Sequence, residues 1–317
     1  MYRVGIDLGG TNIAVGVIDE KFNIIGRGKQ RTNAPRPAEE ICDSIAEAVR
    51  LALCDAGITM DEVKFIGIGA PGSIDPISGI ISWSNNLDFY MVPMVEYLEK
   101  RLNKPVKIDN DANAAALGEM VAGAGKGSKD FVTITLGTGV GSGIIVGGKM
   151  LLGCNFAGGE LGHILLIKDG AQCTCGRKGC FEAYASATGL IRITKEKMLQ
   201  HKDSVMWEIV DGDIDKVNGR TSFDAMRKGD KWGEETVDDY CGYLASGITN
   251  IVNIFQPEIL CIGGGISNEK ENILSRVKPV LEKERFSRNV KKQTELKIAQ
   301  LGNDAGIIGA AMLDTMY

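Results

Sequence analysis

The sequence predicts an α/β protein of two lobes built on an internal repeat, and three observations carry that prediction. First, Gly5-Ile6-Asp7-Leu8-Gly9-Gly10-Thr11 is matched by Thr133-Ile134-Thr135-Leu136-Gly137-Thr138-Gly139, an offset of 128 residues. In each copy an apolar strand runs into a glycine turn and a second apolar strand follows. Second, Val63 to Gly69 and Ile259 to Gly265 are apolar strands running into glycine, and matching Ile68 to Ile262 gives an offset of 194. The second half has therefore gained 66 residues between its two glycine turns, somewhere between about Gly153 and Glu235. Third, segments with helical periodicity alternate with these strands, the pattern of helices covering a mixed sheet.

Ile41, Ile45, Ala48, Val49 and Ala52 fall on one helical face, as do Val95, Leu98 and Leu102 after Pro93. Tyr240, Leu244, Ile248, Ile251 and Phe255 form the corresponding stripe of the second half. These stripes are assigned to packing alone. Val106 to Asp109 reads as a strand and Ala112 to Met120 as an alanine-rich helix. A last helix is expected to begin after Asp304, taken as its N-cap, and to end near Met316, crossing back onto the first lobe. The expected division is a small lobe of residues 1–114 plus 301–317 and a large lobe of residues 115–300, with a cleft between them.

Composition narrows the function. The 317 residues are 44% hydrophobic, enough for sizeable cores, and the length suggests two domains. The net charge of −5, with both signs interspersed and no long basic run, disfavours a nucleic-acid partner. No apolar run reaches the roughly 20 residues of a membrane span, so no membrane partner is expected. The first residues enter a strand without a secretory pattern, which makes a cytoplasmic, reducing location the expectation. Forty-one glycines are well above average, and there are only two histidines.

In Asp7-Leu8-Gly9-Gly10-Thr11-Asn12 a strand ends in two glycines and a polar pair, so backbone N–H groups and a hydroxyl can face an anion. Gly137-Thr138-Gly139 offers the same chemistry from the other copy. Either alone reads equally as a tight hairpin; their pairing across the repeat favours phosphate. Neither has the lysine of a P-loop. Gly263-Gly264-Gly265 follows a buried strand, where a side chain would block a base or ribose, although a plain strand-to-helix turn needs the same residues.

Asn110-Asp111 stands where a strand ends and a helix starts. An N-cap is the simplest role for either residue. The helix terminus also favours an ionised Asp111, able to take a proton from a substrate hydroxyl, as a carboxylate does in phosphoryl transfer. Asp109 is the rival, turned in another direction by strand alternation.

His163, Cys173, Cys175 and Cys180 make a Cys3His set, complete for a closed tetrahedral Zn²⁺ site, with Gly176 and Gly179 allowing the loop to wrap. Buried free thiols or a redox pair are the competing readings. His201, in a polar stretch, is read as a surface residue. Glu160 and Glu182 flank the ligands, and a coordinated imidazole keeps its second ring nitrogen for another partner. Carboxylates, amides and an imidazole gathered together suit a neutral polyol and would repel an anionic substrate.

On these residues the chain resembles the ROK sugar kinases (repressor, open reading frame, kinase) of the actin, sugar kinase and Hsp70 superfamily. Asp7-Leu8-Gly9-Gly10-Thr11 is similar to the family's first phosphate motif, Asn110-Asp111-Ala112-Asn113 to its catalytic segment, and Leu136-Gly137-Thr138-Gly139 to its second phosphate motif. Gly159-Glu160-Leu161-Gly162-His163, followed by Cys173 to Glu182, resembles its zinc signature at every cysteine and glycine. The resemblance implies a duplicated actin-like ATPase (ribonuclease H-like) fold with a zinc-binding loop. It implies Asp111 as catalytic base and Gly72, Asn86 (chosen over Asn85), Asn110, Asp111 itself, Glu160, His163 and Glu182 as sugar ligands. ATP with Mg²⁺ would lie against Asp7, Gly9, Gly10, Thr11, Asn12, Gly137, Thr138 and Gly139, its nucleoside near Gly264 and Gly265.

Glu182-Ala183-Tyr184-Ala185-Ser186-Ala187-Thr188-Gly189 is most similar to bacterial glucokinases, implying glucose and ATP as substrates and glucose 6-phosphate and ADP as products. Kinases for N-acetylglucosamine, N-acetylmannosamine or fructose are the alternatives. A sugar-responsive repressor is disfavoured because the first strand begins at about residue 2, leaving no room for a helix-turn-helix. An actin-like filament or chaperone ATPase shares only the glycine turns. The family relationship implies a homodimer or homotetramer.

Overall fold

The structure is a computed structural model that describes residues 1–316; Tyr317 lies outside the described residues. The first copy of the repeat comprises β1 (Tyr2–Leu8), β2 (Asn12–Ile18), β3 (Ile24–Arg31), α1 (Ala38–Ala56), β4 (Val63–Ala70), β5 (Ser73–Asp75), β6 (Ile80–Ser84), β7 (Phe89–Val92), α2 (Met94–Leu102), β8 (Val106–Asn110) and α3 (Asp111–Ala122). The second begins with β9 (Phe131–Leu136), β10 (Val140–Val146) and β11 (Lys149–Met150). It continues through α4 (Glu182–Ala185), α5 (Ala187–Gln200), α6 (Met206–Ile209), α7 (Thr221–Arg227), α8 (Lys231–Phe255), β12 (Ile259–Gly263), α9 (Glu271–Glu284) and β13 (Glu295–Ile298). The last helix is α10 (Asp304–Ala311).

The two main sheets have the orders β3-β2-β1-β4-β8 and β11-β10-β9-β12-β13. Strand by strand these are the same sheet, so the repeat seen at Gly9 and Gly137 extends to topology. β1 pairs antiparallel with β2 and parallel with β4, placing Gly5 opposite both Gly16 and Gly67. The extra residues of the second copy lie between β11 and α8 and include α4 to α7. The first copy has an addition of its own, the antiparallel sheet β5-β6-β7. The chain divides into two compact units: Met1–Val132 with Gly143–Gly159 and the segment from Ala299 onward, and Thr133–Ser142 with Glu160–Ile298.

The helices form where the apolar stripes lie. On α1, Ile41, Ile45, Ala48, Val49 and Ala52 are buried, Pro37 precedes the helix, and Gly57 ends it in the left-handed conformation. On α8, Tyr240, Leu244, Ile248 and Ile251 are buried, and the Asp230 side chain caps the helix by accepting from the Gly233 N–H. Among the described residues no helix is long and apolar enough to cross a membrane.

The last helix departs from expectation in its limits. Asn303, not Asp304, occupies the cap position, and the helix ends at Ala311, followed by a short 3₁₀ turn. Asp304 is already helical, and its carboxylate pairs with Arg27 at 2.8 Å. Within its unit α10 packs on the first sheet through glycine. A Cβ on Gly5 would strike the carbonyl oxygen of Ile307, and one on Gly67 that of Ala310. Gly309 likewise has no room for a side chain against Ala114 of α3. These glycines are needed for close backbone approach, a use separate from the phosphate turns.

Where the chain returns at residues 300 and 301, the buried carboxylate of Glu119 receives it. It accepts from the N–H groups of Ala124 (2.9 Å), Gln300 (2.9 Å) and Leu301 (2.7 Å). Three charge-assisted bonds satisfy a carboxylate that would be costly to bury alone.

Candidate active site

The first glycine turn joins β1 to β2. The Gly9 N–H closes it on the Asn12 carbonyl at 2.9 Å, and the Thr32 hydroxyl donates to the Gly9 carbonyl at 2.6 Å. The N–H groups of Gly10 and Thr11 have no acceptor among the described residues, and Thr11 is exposed. They are available to an anion. The Asn12 Oδ1 is buried with no donor. Gly10 sits against the turn between β6 and β7, where a Cβ would stand 3.2 Å from the Asn86 carbonyl oxygen. Asn86 and its neighbour Asn85 are both exposed there.

Asn110 and Asp111 divide the duties at the head of α3. Asn110 is the cap, its Oδ1 accepting from Ala112 (2.8 Å) and Asn113 (3.4 Å), while its Nδ2 donates to the Gly72 carbonyl at 3.2 Å. Gly72 has φ +115° and faces Ser84 so closely that a Cβ would stand 2.9 Å from its Cα. Asp111 is thus relieved of the N-cap position. Its side chain is exposed, accepts from the Ala112 N–H at 2.9 Å and interacts with Asp7. Asp109 is buried and accepts from Asn113 Nδ2 at 3.0 Å, which turns it away from solvent.

Burial, followed by the nearby negative charge of Asp111, pushes the Asp7 carboxyl up to about 6. Two carboxylates close together beside an amide turn form a place suited to a cation. The sign of the pH effect follows from linkage. The folded protein holds the Asp7 proton more tightly than the unfolded chain, so the stability associated with that proton falls as pH rises from about 4 to about 6. The loss is up to roughly 3 kcal/mol. Asp7→Asn is therefore expected to raise the melting temperature of the metal-free protein at pH 8 and to leave it nearly unchanged at pH 4. Thermal unfolding at the two pH values checks this, and equal effects at both would contradict it.

The second glycine turn, between β9 and β10, repeats the design of the first. Gly137 N–H closes it on the Gly139 carbonyl at 3.0 Å, and the Thr138 and Gly139 N–H groups are left without acceptors among the described residues. Glu182, the first residue of α4, reaches it: the Val140 N–H donates to Glu182 Oε2 at 2.9 Å. Glu160 is exposed and immediately precedes the 3₁₀ turn Leu161–His163, whose His163 N–H donates to the Glu160 carbonyl at 3.1 Å.

The ligating atoms of His163, Cys173, Cys175 and Cys180 all lie within 4.8 Å of one another. Cys175 Sγ is 3.7 Å from Cys180 Sγ, and Cys173 Sγ is 3.8 Å from His163 Nδ1. A tetrahedron with Zn–S bonds of about 2.3 Å has an edge of roughly 3.8 Å, so the spacing fits an ion and is far too long for a disulfide. Nδ1 faces the cluster, which leaves Nε2 for another partner. Burial pushes the Cys173 thiol up to about 12 and raises that of Cys180, while the Arg177 N–H lowers that of Cys175. A bound cation would deprotonate all three. Arg177 also donates to the His163 carbonyl at 2.9 Å, and Gly179 leaves no space for a Cβ against Ile167.

Beside the second turn opens a cavity of about 550 Å³. It brings together Gly137, Thr138 and Gly265, expected from the sequence, with Ala187, Asn218, Gly219, Arg220, Asn268 and Glu269, which were not. Gly264 stands behind its wall at φ +84°, where a Cβ would be 2.5 Å from the Leu136 nitrogen. Glu269 is paired with Arg227 at 2.7 Å, whereas Arg220 makes no ion pair among the described residues. The cavity therefore carries one uncompensated positive charge. Asn218-Gly219 is a turn dipeptide, and that was the only local signal of this wall.

Duplicated sheets, each headed by a glycine turn with open amides, define an actin-like ATPase fold with a Cys3His loop. The chain belongs to the ROK family, whose family model matches residues 3–315. It is 39% identical to a glucokinase of Halalkalibacterium halodurans over 98% of this chain and 94% of that one. It is 37% identical to a glucokinase of Thermotoga maritima over 98% and 96%. Its structure is similar to that of a ROK family glucokinase from Streptomyces griseus in complex with glucose and AMPPNP, with a TM-score of 0.80, 35% identity and 99% of each chain covered.

Proposed function

We propose that the chain is an ATP-dependent glucokinase that converts glucose and ATP to glucose 6-phosphate and ADP. The observation that carries this reading is the carboxylate of Asp111, exposed at the head of α3 because Asn110 caps the helix in its place. Asp111 accepts the proton of the C6 hydroxyl as that oxygen bonds to the γ-phosphorus and the bond to ADP breaks. Glucokinases of comparable length among its relatives support the reading.

The remaining residues position the reactants. The N–H groups of Gly10, Thr11, Thr138 and Gly139 are assigned to the ATP phosphates, together with Gly9, Asn12 and Gly137, which shape the two turns. Gly264 and Gly265 border the nucleoside cavity. Asp7 would hold Mg²⁺, which supplies charge neutralisation of the polyphosphate when bound. Gly72, Asn86, Asn110, Glu160, His163 and Glu182 are assigned to the sugar. His163, Cys173, Cys175 and Cys180 would hold a structural Zn²⁺. We place the enzyme in the cytoplasm as a homodimer or homotetramer, with lobes at residues 1–114 plus 301–317 and 115–300.

The test is a coupled ADP-release assay with glucose, mannose, fructose, N-acetylglucosamine and N-acetylmannosamine as acceptors. Glucose is expected to have the highest kcat/KM. If glucose ranks among the poorest acceptors, the glucokinase assignment fails even if another hexose is phosphorylated.

A further inference from the structure

Glu182 is bonded through both carboxylate oxygens. Oε2 accepts from the Val140 N–H at 2.9 Å, and Gly139 makes room for it, since a Cβ there would strike that oxygen. Oε1 accepts from the Thr174 hydroxyl at 3.1 Å and from Cys173 Sγ at 3.5 Å. Thr174 lies between two metal-ligating cysteines, so a single carboxylate spans the metal loop and the second glycine turn. The two donors on Oε1 are not equivalent. The Thr174 hydroxyl makes the shorter contact, 3.1 Å against 3.5 Å, and stands outside the Cys3His set, so it is the donor that fixes this oxygen.

We propose that Thr174 is a positioning residue: by holding Glu182 Oε1 it keeps Oε2 on the Val140 N–H and so keeps the second glycine turn in its phosphate-binding shape. This rests on the reading that the turn holds the donor's phosphates. The side chain suits the role. It is exposed and uncoordinated, so removing its hydroxyl leaves the zinc ligands and the core intact, and its effect travels through Glu182 alone. A hydroxyl-to-carboxylate bond is among the stronger hydrogen bonds, because the acceptor is charged. A carboxylate that loses it can rotate and release the amide at its other end.

The experiment compares wild type, Thr174→Val and Thr174→Ser as zinc-loaded proteins. AMPPNP binding is measured calorimetrically without sugar, alongside zinc content and melting temperature. Thr174→Val is expected to weaken AMPPNP binding about tenfold, with zinc content and melting temperature unchanged, and Thr174→Ser to restore most of the affinity. An unchanged dissociation constant in Thr174→Val overturns the proposal, as does equal weakening in Thr174→Ser. Loss of zinc from Thr174→Val would also overturn it, by making the residue part of the metal site itself. If the wild-type protein fails to bind AMPPNP, the assignment of the turn to phosphate falls first and takes this proposal with it.

Discussion

Asp111→Asn and Asp111→Ala are expected to lower kcat for glucose phosphorylation by roughly 10²–10⁴-fold, the range contributed by a positioned general base. Glucose affinity should change much less, because Asn110, not Asp111, holds the Gly72 carbonyl and caps α3. The asparagine variant is the sharper test. It keeps the shape and removes only the proton acceptor, while relieving the charge that acts on Asp7. Kinetics combined with calorimetric glucose binding separates the two effects. Turnover within a few-fold of wild type in either variant would remove Asp111 from its role, and lost glucose binding would move it into recognition.

Purified protein is expected to carry about one zinc per chain, and Cys175→Ser or Cys180→Ser to lose it. The loop from His163 to Cys180 has few buried apolar side chains of its own, so its order is expected to depend on the ion. Metal loss should lower the melting temperature on the order of 10 °C, corresponding to several kcal/mol for a chain of this size. The residues proposed to bind the sugar should feel it first: Glu160 stands three residues before His163, and Glu182 two after Cys180. KM for glucose is therefore expected to rise in the zinc-free enzyme. Elemental analysis that finds no zinc in the wild-type protein would refute the site outright.

What was legible in the sequence was what is local or repeated. The strand-turn-strand units at Gly9 and Gly137 each complete their chemistry within a few residues, and copies of them announce the duplicated topology. The Cys3His set is also compact: three of its four residues lie in one eight-residue stretch, and side chains of these types suit zinc. The helical stripes of α1 and α8 were readable because one face of each is buried and the other is not.

Other parts carried no such signal. The β5-β6-β7 sheet is built of strands of three, five and four residues, and Trp83 and Tyr90 are exposed on it, so alternation marks no core face. α10 is buried on nearly every side and has no polar face to give it a period. Its start was misplaced for a further reason: Asn303 and Asp304 are both good cap residues, and the ion pair that employs Asp304 comes from Arg27, far away in the chain. The cavity walls at Asn218, Arg220 and Asn268 are joined only by folding. No spacing rule connects residues that meet across an insertion.

The dependence of the first unit on α10 has a consequence for biosynthesis. The backbone of this helix occupies the surface left bare by Gly5 and Gly67, and Glu119 waits for the amides of Gln300 and Leu301. A chain emerging amino terminus first therefore presents β1, β4 and α3 long before the segment that covers them exists. The unit begun first is the one completed last. Until that segment emerges, its glycine-lined sheet face lacks its cover, and uncovered apolar surface of this kind is where nascent chains associate or recruit chaperones.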